Sequence, residues 1–494
     1  MKIVYFSSPS FGNINPSLEV IKHLIHLGHN VVYYSTYNYE YLIKSTGAKF
    51  KNYPKGSWDN IYGGDIRNNY SFLKYLHLQA ENILLTNQDL YCSLLKEVKL
   101  LHPNAIIHDS YAYWGKNLSR ELSVPAVSFV TNYVLPKEAY LLNQQIFSKY
   151  VFDLEKKRFK SIKREIILIE KLLKKKHNLE KIDLFDFMLN RESLNIIFSI
   201  ENIQKFAPYL NDSFYFAGAS IPENINLQDE FFDILSKKKP IIYISLGTVL
   251  NNNTKFFTIC LEVAKELCDF YFIISIGQKI NINKLDKLHN VFIGNNLPQC
   301  KILKYAKMFF THAGHNSVNE ALFFGVPMLL YPLGNEQFII SKVIEELNLG
   351  LCYKETDISK FTIIQYVFRL INNNSILNSI ELYKYIYNKK SNPQRVANYI
   401  SNYLMKNGEN QNMNNEKTIK EIKEIFENYT KTNLSSNWMT QSMEELGLNS
   451  FDAISLLIDI EENFDIIIDD NLIEPEMFSS PQSMYDIIKK TLNK

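Results

Sequence analysis

The sequence contains no uninterrupted apolar stretch approaching the ~18 residues that a membrane-spanning helix needs. Its opening, MKIVYFSS, is interrupted by polar residues too early for a signal peptide. Cysteine is scarce: five residues, Cys92, Cys260, Cys268, Cys300 and Cys352, with no Cys-x-x-Cys or Cys/His spacing. That argues against a zinc site or a disulfide framework and fits a reducing cytosol. No metal motif of any other kind appears. These absences together imply a cytoplasmic chain without a resident metal. What the sequence does have is 46% hydrophobic and 13% aromatic residues in 494 positions. That is material for substantial cores and, as a prior, about three domains.

Charge is balanced overall at +2 but unevenly placed. From Asn412 onward sixteen Asp/Glu stand against seven Lys/Arg, a net −9, which leaves +11 for the rest. Such asymmetry marks the C-terminal part as a separate acidic module.

Through the first 400 residues short apolar runs alternate with helical patterns. Lys2–Phe6, Val31–Ser35, Ala105–Asp109, Ala126–Thr131 and Asn195–Ser199 form one series of expected strands. Ile241–Leu246, Phe270–Ser275, Val291–Ile293, Met308–Thr311 and Met328–Tyr331 form a second. Continuous β-branched runs are expected of parallel strands covered on both faces. Two series predict an α/β chain with two doubly wound, Rossmann-like domains, over residues 1–220 and 221–405. A polar linker is expected over residues 406–417, KNGENQNMNNEK, and a small all-helical unit over 418–494.

In that last unit, EELGLNSFDAISLLIDIEENFDI places Ser450 at a helix start, followed by Asp452, Asp459, Glu461 and Glu462. One reading of Ser450 is a helix N-cap, worth about 1 kcal/mol. The whole pattern, Leu-Gly-x-Asn-Ser-Phe-Asp, an apolar helix, then Glu-Glu-x-Phe, resembles acyl and peptidyl carrier proteins of polyketide or nonribosomal peptide assembly lines. The resemblance implies a four-helix carrier domain with phosphopantetheine attached at Ser450 by a phosphopantetheinyl transferase. The acidic helix would then be a docking face for basic biosynthetic enzymes. Asn449 departs from the commonest Asp of that motif.

The stretch Phe309–Gln337, FFTHAGHNSVNEALFFGVPMLLYPLGNEQ, reads as strand, glycine-bearing turn and helix. Free N–H groups at a helix N-terminus make a phosphate site. His312, Asn316 and Ser317 can donate to it, and Gly314 allows close approach. A second loop, Ser245–Val249, ends another strand and can face the same phosphates. The bland alternative is a Rossmann-like domain with no ligand. In order and spacing, however, HAGxNSxxEAL, GVP and P-x-x-x-E-Q resemble the nucleotide-sugar signature of macrolide-type and plant-type secondary-metabolite glycosyltransferases. That resemblance implies a two-domain GT-B fold and an inverting, metal-independent hexosyltransferase using a UDP- or dTDP-sugar. By it, His312, Asn316 and Ser317 hold the diphosphate and Glu320 reaches the ribose. Glu336 and Gln337 bind sugar hydroxyls, Ser245 and Thr248 lie on the diphosphate side, and Gln299 pairs with the base. The aromatic residue that the family often has before the Val-Pro-Gln segment is missing: the segment here is Asn296-Leu297-Pro298-Gln299.

The N-terminal segment GNINPSLEVIKHLIHLGHNVVYYS matches the family's opening, in which a His before x-Asn-Pro is the general base. Here that position is Asn13. The orienting carboxylate is matched by Asp109, so the catalytic pair reads Asn13–Asp109. An amide cannot act as a base. Three readings stay open: Asp109 contacts the acceptor as a weak base with Asn13 orienting it; the acceptor needs little deprotonation; or the transferase is an inactive scaffold presenting the carrier. Neighbouring His108 is expected on the opposite strand face, and His102 and His315 have no stronger claim. Fusion to a carrier suggests an acyl, aminoacyl or peptidyl acceptor tethered to Ser450. The rival is a free small-molecule acceptor, with the carrier used for recruitment. The segment 155–181 holds eleven Lys/Arg against four Glu. It reads as a solvated face, a docking face for the acidic carrier, or a contact to an anionic membrane. No nucleic-acid-binding module accompanies it.

Overall fold

In the computed structural model, β1 (Lys2–Phe6) pairs in parallel with β2 (Asn30–Ser35) on one side and with β4 (Ala105–Asp109) on the other. The described residues are 1–54, 72–152, 159–223, 238–247, 253–277, 280, 288–334, 336–354, 358–430, 434–464, 466–468, 473 and 475–492. They fall into two units, residues 1–117 with 126–400, and residues 118–125 with 401–494.

The first unit holds two parallel sheets. One has seven strands ordered β3-β2-β1-β4-β5-β6-β7, adding β3 (Lys49–Asn52), β5 (Ala126–Val130), β6 (Asn195–Ile197) and β7 (Phe214–Phe216). The other has six, ordered β10-β9-β8-β11-β12-β13. Its strands are β8 (Ile241–Ser245), β9 (Tyr271–Ser275), β10 (Val291–Gly294), β11 (Ala306–Thr311), β12 (Met328–Leu330) and β13 (Gly350–Cys352). Each order reverses direction beside its first strand, and the crevice at that point is where doubly wound sheets bind ligands. Strands β4, β5, β8 and β9 are buried at every position. Helices cover both faces of such sheets, which is why these strands read as unbroken apolar runs. All ten expected strands are present within a residue or two at each end. The three additional ones, β3, β7 and β13, all lie at sheet edges.

The helix Phe11–His26 follows β1, and its inward face carries Asn13, Ile14, Ser17, Val20, Ile21 and Leu24. Pro16 lies within it and has no N–H for the Gly12 carbonyl four residues back. The helix His315–Phe324 follows β11 and stops at Gly325, whose φ of 73° suits the left-handed C-terminal position.

The second unit is helical. Pro393–Tyr429, Ser450–Phe464 and Pro481–Leu492 are α-helices, joined through one-turn elements at Trp438–Thr440 and Pro475–Ser479. Its core includes Ile422, Phe426, Trp438, Leu456, Ile460, Met484 and Ile488. The segment expected to be a linker, 406–417, is helical and belongs to Pro393–Tyr429. Lack of apolar periodicity excluded a buried face, not a helix. After Pro393 no proline interrupts it, and Lys417–Glu421 and Lys420–Glu424 pairs follow at i,i+4. Where a fourth helix was expected, the described residues hold only the turn Pro475–Ser479. Among the described residues no helix is long and apolar enough to cross a membrane.

Candidate active site

Asp109 ends β4 and is fully buried. Its Oδ1 accepts from the backbone N–H of Tyr111 at 2.8 Å and of Ala112 at 2.9 Å. Its Oδ2 accepts from the Ser8 N–H at 2.5 Å and from the Ser8 hydroxyl at 2.8 Å. Burial pushes this carboxyl's pKa up, against the hydrogen bonds from Ser8 and Tyr111 and the neighbouring His108, which pull it down. Such a carboxylate has no free face for an acceptor. Among the described residues no hydrogen bond joins Asp109 directly to Asn13. Ser8 stands between them, and the Asn13 amide Nδ2 donates to the Ser8 hydroxyl. On its other side Asn13 Oδ1 accepts from Thr131 Oγ1 at 2.8 Å. Ser8 and Thr131 were not singled out from the sequence, because only the fold brings them to Asn13.

His108 is buried on the opposite face, with Nδ1 3.0 Å from the Asp109 carbonyl and Nε2 3.1 Å from Glu192. It holds the strand end and cannot stand in for the base.

On the second sheet, the turn after β11 carries His312, Ala313 and Gly314, with Ala313 in the left-handed region at φ 64°. The His312 ring lies between two glycines. A Cβ on Gly247 would fall 2.6 Å from its Cε1, and one on Gly314 would fall 2.5 Å from its Nε2. Burial lowers the His312 pKa to about 4, so the ring is neutral, and its buried Nδ1 has no partner among the described residues. An orphaned ring nitrogen beside a helix N-terminus fits a phosphate oxygen. Ser245 is buried at the end of β8, its hydroxyl accepting from the Gly247 N–H at 3.2 Å. Thr248 lies outside the described residues.

The two residues expected on the nucleoside, Gln299 and Glu320, meet each other and Ser317, which was expected on the diphosphate. Gln299 Nε2 donates to Ser317 Oγ at 3.1 Å and to Glu320 Oε2 at 2.7 Å. Burial raises the Glu320 carboxyl's pKa. Gln337 is turned back to accept from the Leu333 N–H at 2.8 Å.

The start of the helix His315–Phe324 also touches the first sheet's domain. Asn316 Nδ2 donates to the Gly12 carbonyl at 2.6 Å, the carbonyl that Pro16 leaves without a helical partner. His315 Nδ1 lies 3.0 Å from the Thr131 carbonyl and Nε2 2.9 Å from Gln204, and Ser199 donates to Asn319 at 2.7 Å. Asn15 and Glu320 approach at 3.5 Å. A cavity adjoins these contacts. Its wall includes Ser110, Tyr111, Asn132, Tyr133 and Phe185 from the first domain and Glu336 from the second.

The family model for UDP-glucoronosyl and UDP-glucosyl transferases matches residues 206–407. The chain is similar to this glycosyltransferase family over those residues, and its two parallel sheets form a GT-B fold. An uncharacterized UDP-glucosyltransferase of Bacillus subtilis is 27% identical to this chain over 378 residues, 76% of this chain and 90% of that one. The oleandomycin glycosyltransferase of Streptomyces antibioticus is 24% identical, over 70% of this chain and 78% of that one. The crystal structure of the calicheamicin glycosyltransferase CalG4 superposes with a TM-score of 0.64 at 20% identity, covering 82% of this chain and 98% of that one. The chain thus shares the two-sheet fold of CalG4.

Proposed function

We propose that the chain catalyses inverting, metal-independent transfer of a sugar from a UDP- or dTDP-sugar to an acceptor carried as a thioester on its own C-terminal unit, in specialised-metabolite biosynthesis. The observation that carries the transfer is the donor-side geometry. A neutral His312 with an orphaned nitrogen, the N-terminus of His315–Phe324, and the Gln299–Ser317–Glu320 cluster stand at one sheet's carboxyl end, beside an apolar cavity. His312, Asn316 and Ser317 hold the diphosphate and, with the helix dipole, offset its charge as it leaves. Gly314 admits it, with Ser245 on the same side. Gln299 and Glu320 take the nucleoside, and Glu336 and Gln337 the sugar hydroxyls.

The carrier reading is supported by the capping of Ser450–Phe464. Asn449 Oδ1 accepts from the Phe451 and Asp452 N–H groups at 2.8 and 3.1 Å, and Asp452 Oδ2 accepts from the Asn449 N–H at 2.9 Å. That reciprocal box makes Asn449 the N-cap of this helix. Phe451, Ile454 and Ile458 are more than half or about half exposed beside acidic side chains, a face suited to a basic partner enzyme. A tethered acceptor arrives at high local concentration.

The mass of the chain from its native producer, and of the peptide bearing Ser450, tests this. A phosphopantetheine adduct carrying an acyl or sugar group is expected. An unmodified Ser450, in cells that modify other carriers, refutes the tether. Sugar transfer that survives Ser450→Ala unchanged favours a free acceptor. Transfer absent from the wild type, or unaffected by His312→Ala, refutes the transferase reading in favour of a scaffold.

A further inference from the structure

The proposed transfer needs a place for the acceptor's proton, and position 13 does not provide one. Asn13 is an amide bonded on both sides, and Asp109 is saturated by four hydrogen bonds. His312 is flanked by glycines on the donor side, and His315 is held between Thr131 and Gln204. The cavity wall contains one carboxylate among the described residues, Glu336, the first residue of the helix Glu336–Glu346. The other lining groups are aromatic or apolar, such as Tyr75, Tyr133, Phe185 and Met188, apart from the neutral polar Ser110 and Asn132, which are not bases. Among the described residues no side chain donates to Glu336 and no cation pairs with it; its own backbone N–H is what favours the charged form.

We propose that Glu336 is the general base of this transferase. Its carboxylate takes the proton from the acceptor's oxygen, nitrogen or sulfur as that atom bonds to the sugar's anomeric carbon. The bond from that carbon to the diphosphate oxygen breaks, and its electron pair leaves on the diphosphate. Glu336 ends as a carboxylic acid and returns its proton to solvent when product departs. The inference rests on the glycosyl-transfer reading and adds to the sugar-binding role that the resemblance implies for the same residue. A carboxylate has two oxygens, one for a sugar hydroxyl and one for the acceptor proton. Burial raises the Glu336 pKa, which makes it a stronger base than an exposed glutamate and brings it nearer the working pH.

The test uses the full chain, UDP-glucose and dTDP-glucose as donors, and a phenol and a thiophenol of matched shape as acceptors. With the phenol, wild-type kcat is expected to fall as pH drops through the Glu336 carboxyl. Glu336→Gln should remove that limb and cost about 10²–10⁴-fold, the usual worth of a general base. The thiophenol is already ionised at neutral pH and should lose far less. Formate should restore part of the rate to Glu336→Ala by entering the space and accepting the proton. Equal losses with both acceptors, an unchanged pH limb in Glu336→Gln, or a raised donor KM at unchanged kcat would make Glu336 a sugar ligand only and overturn the proposal. A wild type that turns over neither donor overturns the transfer reading itself, a separate result. Unfolding curves of both variants show that they fold.

Discussion

Asn13→His should restore little activity alone and much when Ser8 is trimmed at the same time. The Ser8 hydroxyl lies 2.8 Å from Asp109 Oδ2 and accepts from the Asn13 amide. One hydroxyl thus spans the gap that a longer imidazole would fill. In the single variant the ring collides with that hydroxyl. In Ser8→Ala/Asn13→His the ring nitrogen can take the hydroxyl's place and donate to Asp109 Oδ2. That oxygen keeps its other bond, the 2.5 Å contact from the backbone N–H of residue 8, which the side-chain change leaves intact. Losing the hydroxyl's two bonds should cost about 1–3 kcal/mol of stability. The new base should be worth about 10²–10⁴-fold, which is about 3–5 kcal/mol of barrier. The full gain belongs in a Glu336→Gln background, where no base remains. In the wild-type background it should be smaller, since two bases then serve one proton. Turnover of phenol and donor is followed from pH 5 to 9, and the double variant should acquire an imidazole limb, above the ordinary His value of about 6.5 because a carboxylate lies behind the ring. If the folded double variant gains nothing in the Glu336→Gln background, proton removal does not limit this reaction, and both the reading of Asn13 and that of Glu336 fail.

Gly314→Ala should push a Cβ into the His312 ring, and Gly247→Ala should do so while also straining a residue at φ 74°. Each should raise donor KM more than it lowers stability, Gly247→Ala also costing about 1 kcal/mol or more, as steady-state kinetics and urea unfolding will show; unchanged donor KM would place the diphosphate elsewhere. Burial depresses the His315 pKa to about 4, so the unfolded chain binds the proton first. Stability contributed at pH 7 is therefore lost as pH falls from 6.5 toward 4, by up to about 3 kcal/mol. His312 acts in the same direction. His315→Gln should flatten its share of that slope in urea titrations at pH 7 and 4.5. Pro16→Ala restores an N–H that competes with Asn316 for the Gly12 carbonyl. It should raise the melting temperature, since proline is the poorest helix former, while weakening donor binding several-fold through a loosened Asn316; binding unchanged would show that this contact does not set the position of Asn316.

Nine of the ten strands that the sequence announced are mostly buried; the tenth, β10, is a half-buried edge that its Val-Phe-Ile run still marks. The three it did not announce are edges. Lys49-Phe50-Lys51-Asn52 is exposed or half-buried throughout, and Phe214–Phe216 and Gly350–Cys352 are three residues each. An edge strand has one neighbour and one wet side, so an apolar run need not mark it. The strand, turn and helix around His312 were legible because their spacing along one strand–turn–helix fixes their geometry locally. Ser8, Thr131 and the contacts of His315 were not, since each depends on a partner more than a hundred residues away or on the crossing of two chain segments. Helix 393–429 was missed over residues 406–417 because a helix polar all round has no periodic face to betray it.

The buried chain Asp109–Ser8–Asn13–Thr131–His315 runs from the carboxyl end of the first sheet to the first residue of the donor helix. Thr131 serves both ends of it, its hydroxyl donating to Asn13 and its carbonyl lying on His315. A carboxamide suits that position because it donates and accepts at once without changing charge. Position 13 has thus become a strut that registers the two domains against each other. The proton must then be taken from the cavity's other side. Glu336 belongs to the second domain while Ser110, Tyr111 and Tyr133 belong to the first. A base placed there meets the acceptor only when both domains form the cavity together. Alignment and proton transfer, which one imidazole would combine, are divided in this chain between Asn13 and Glu336.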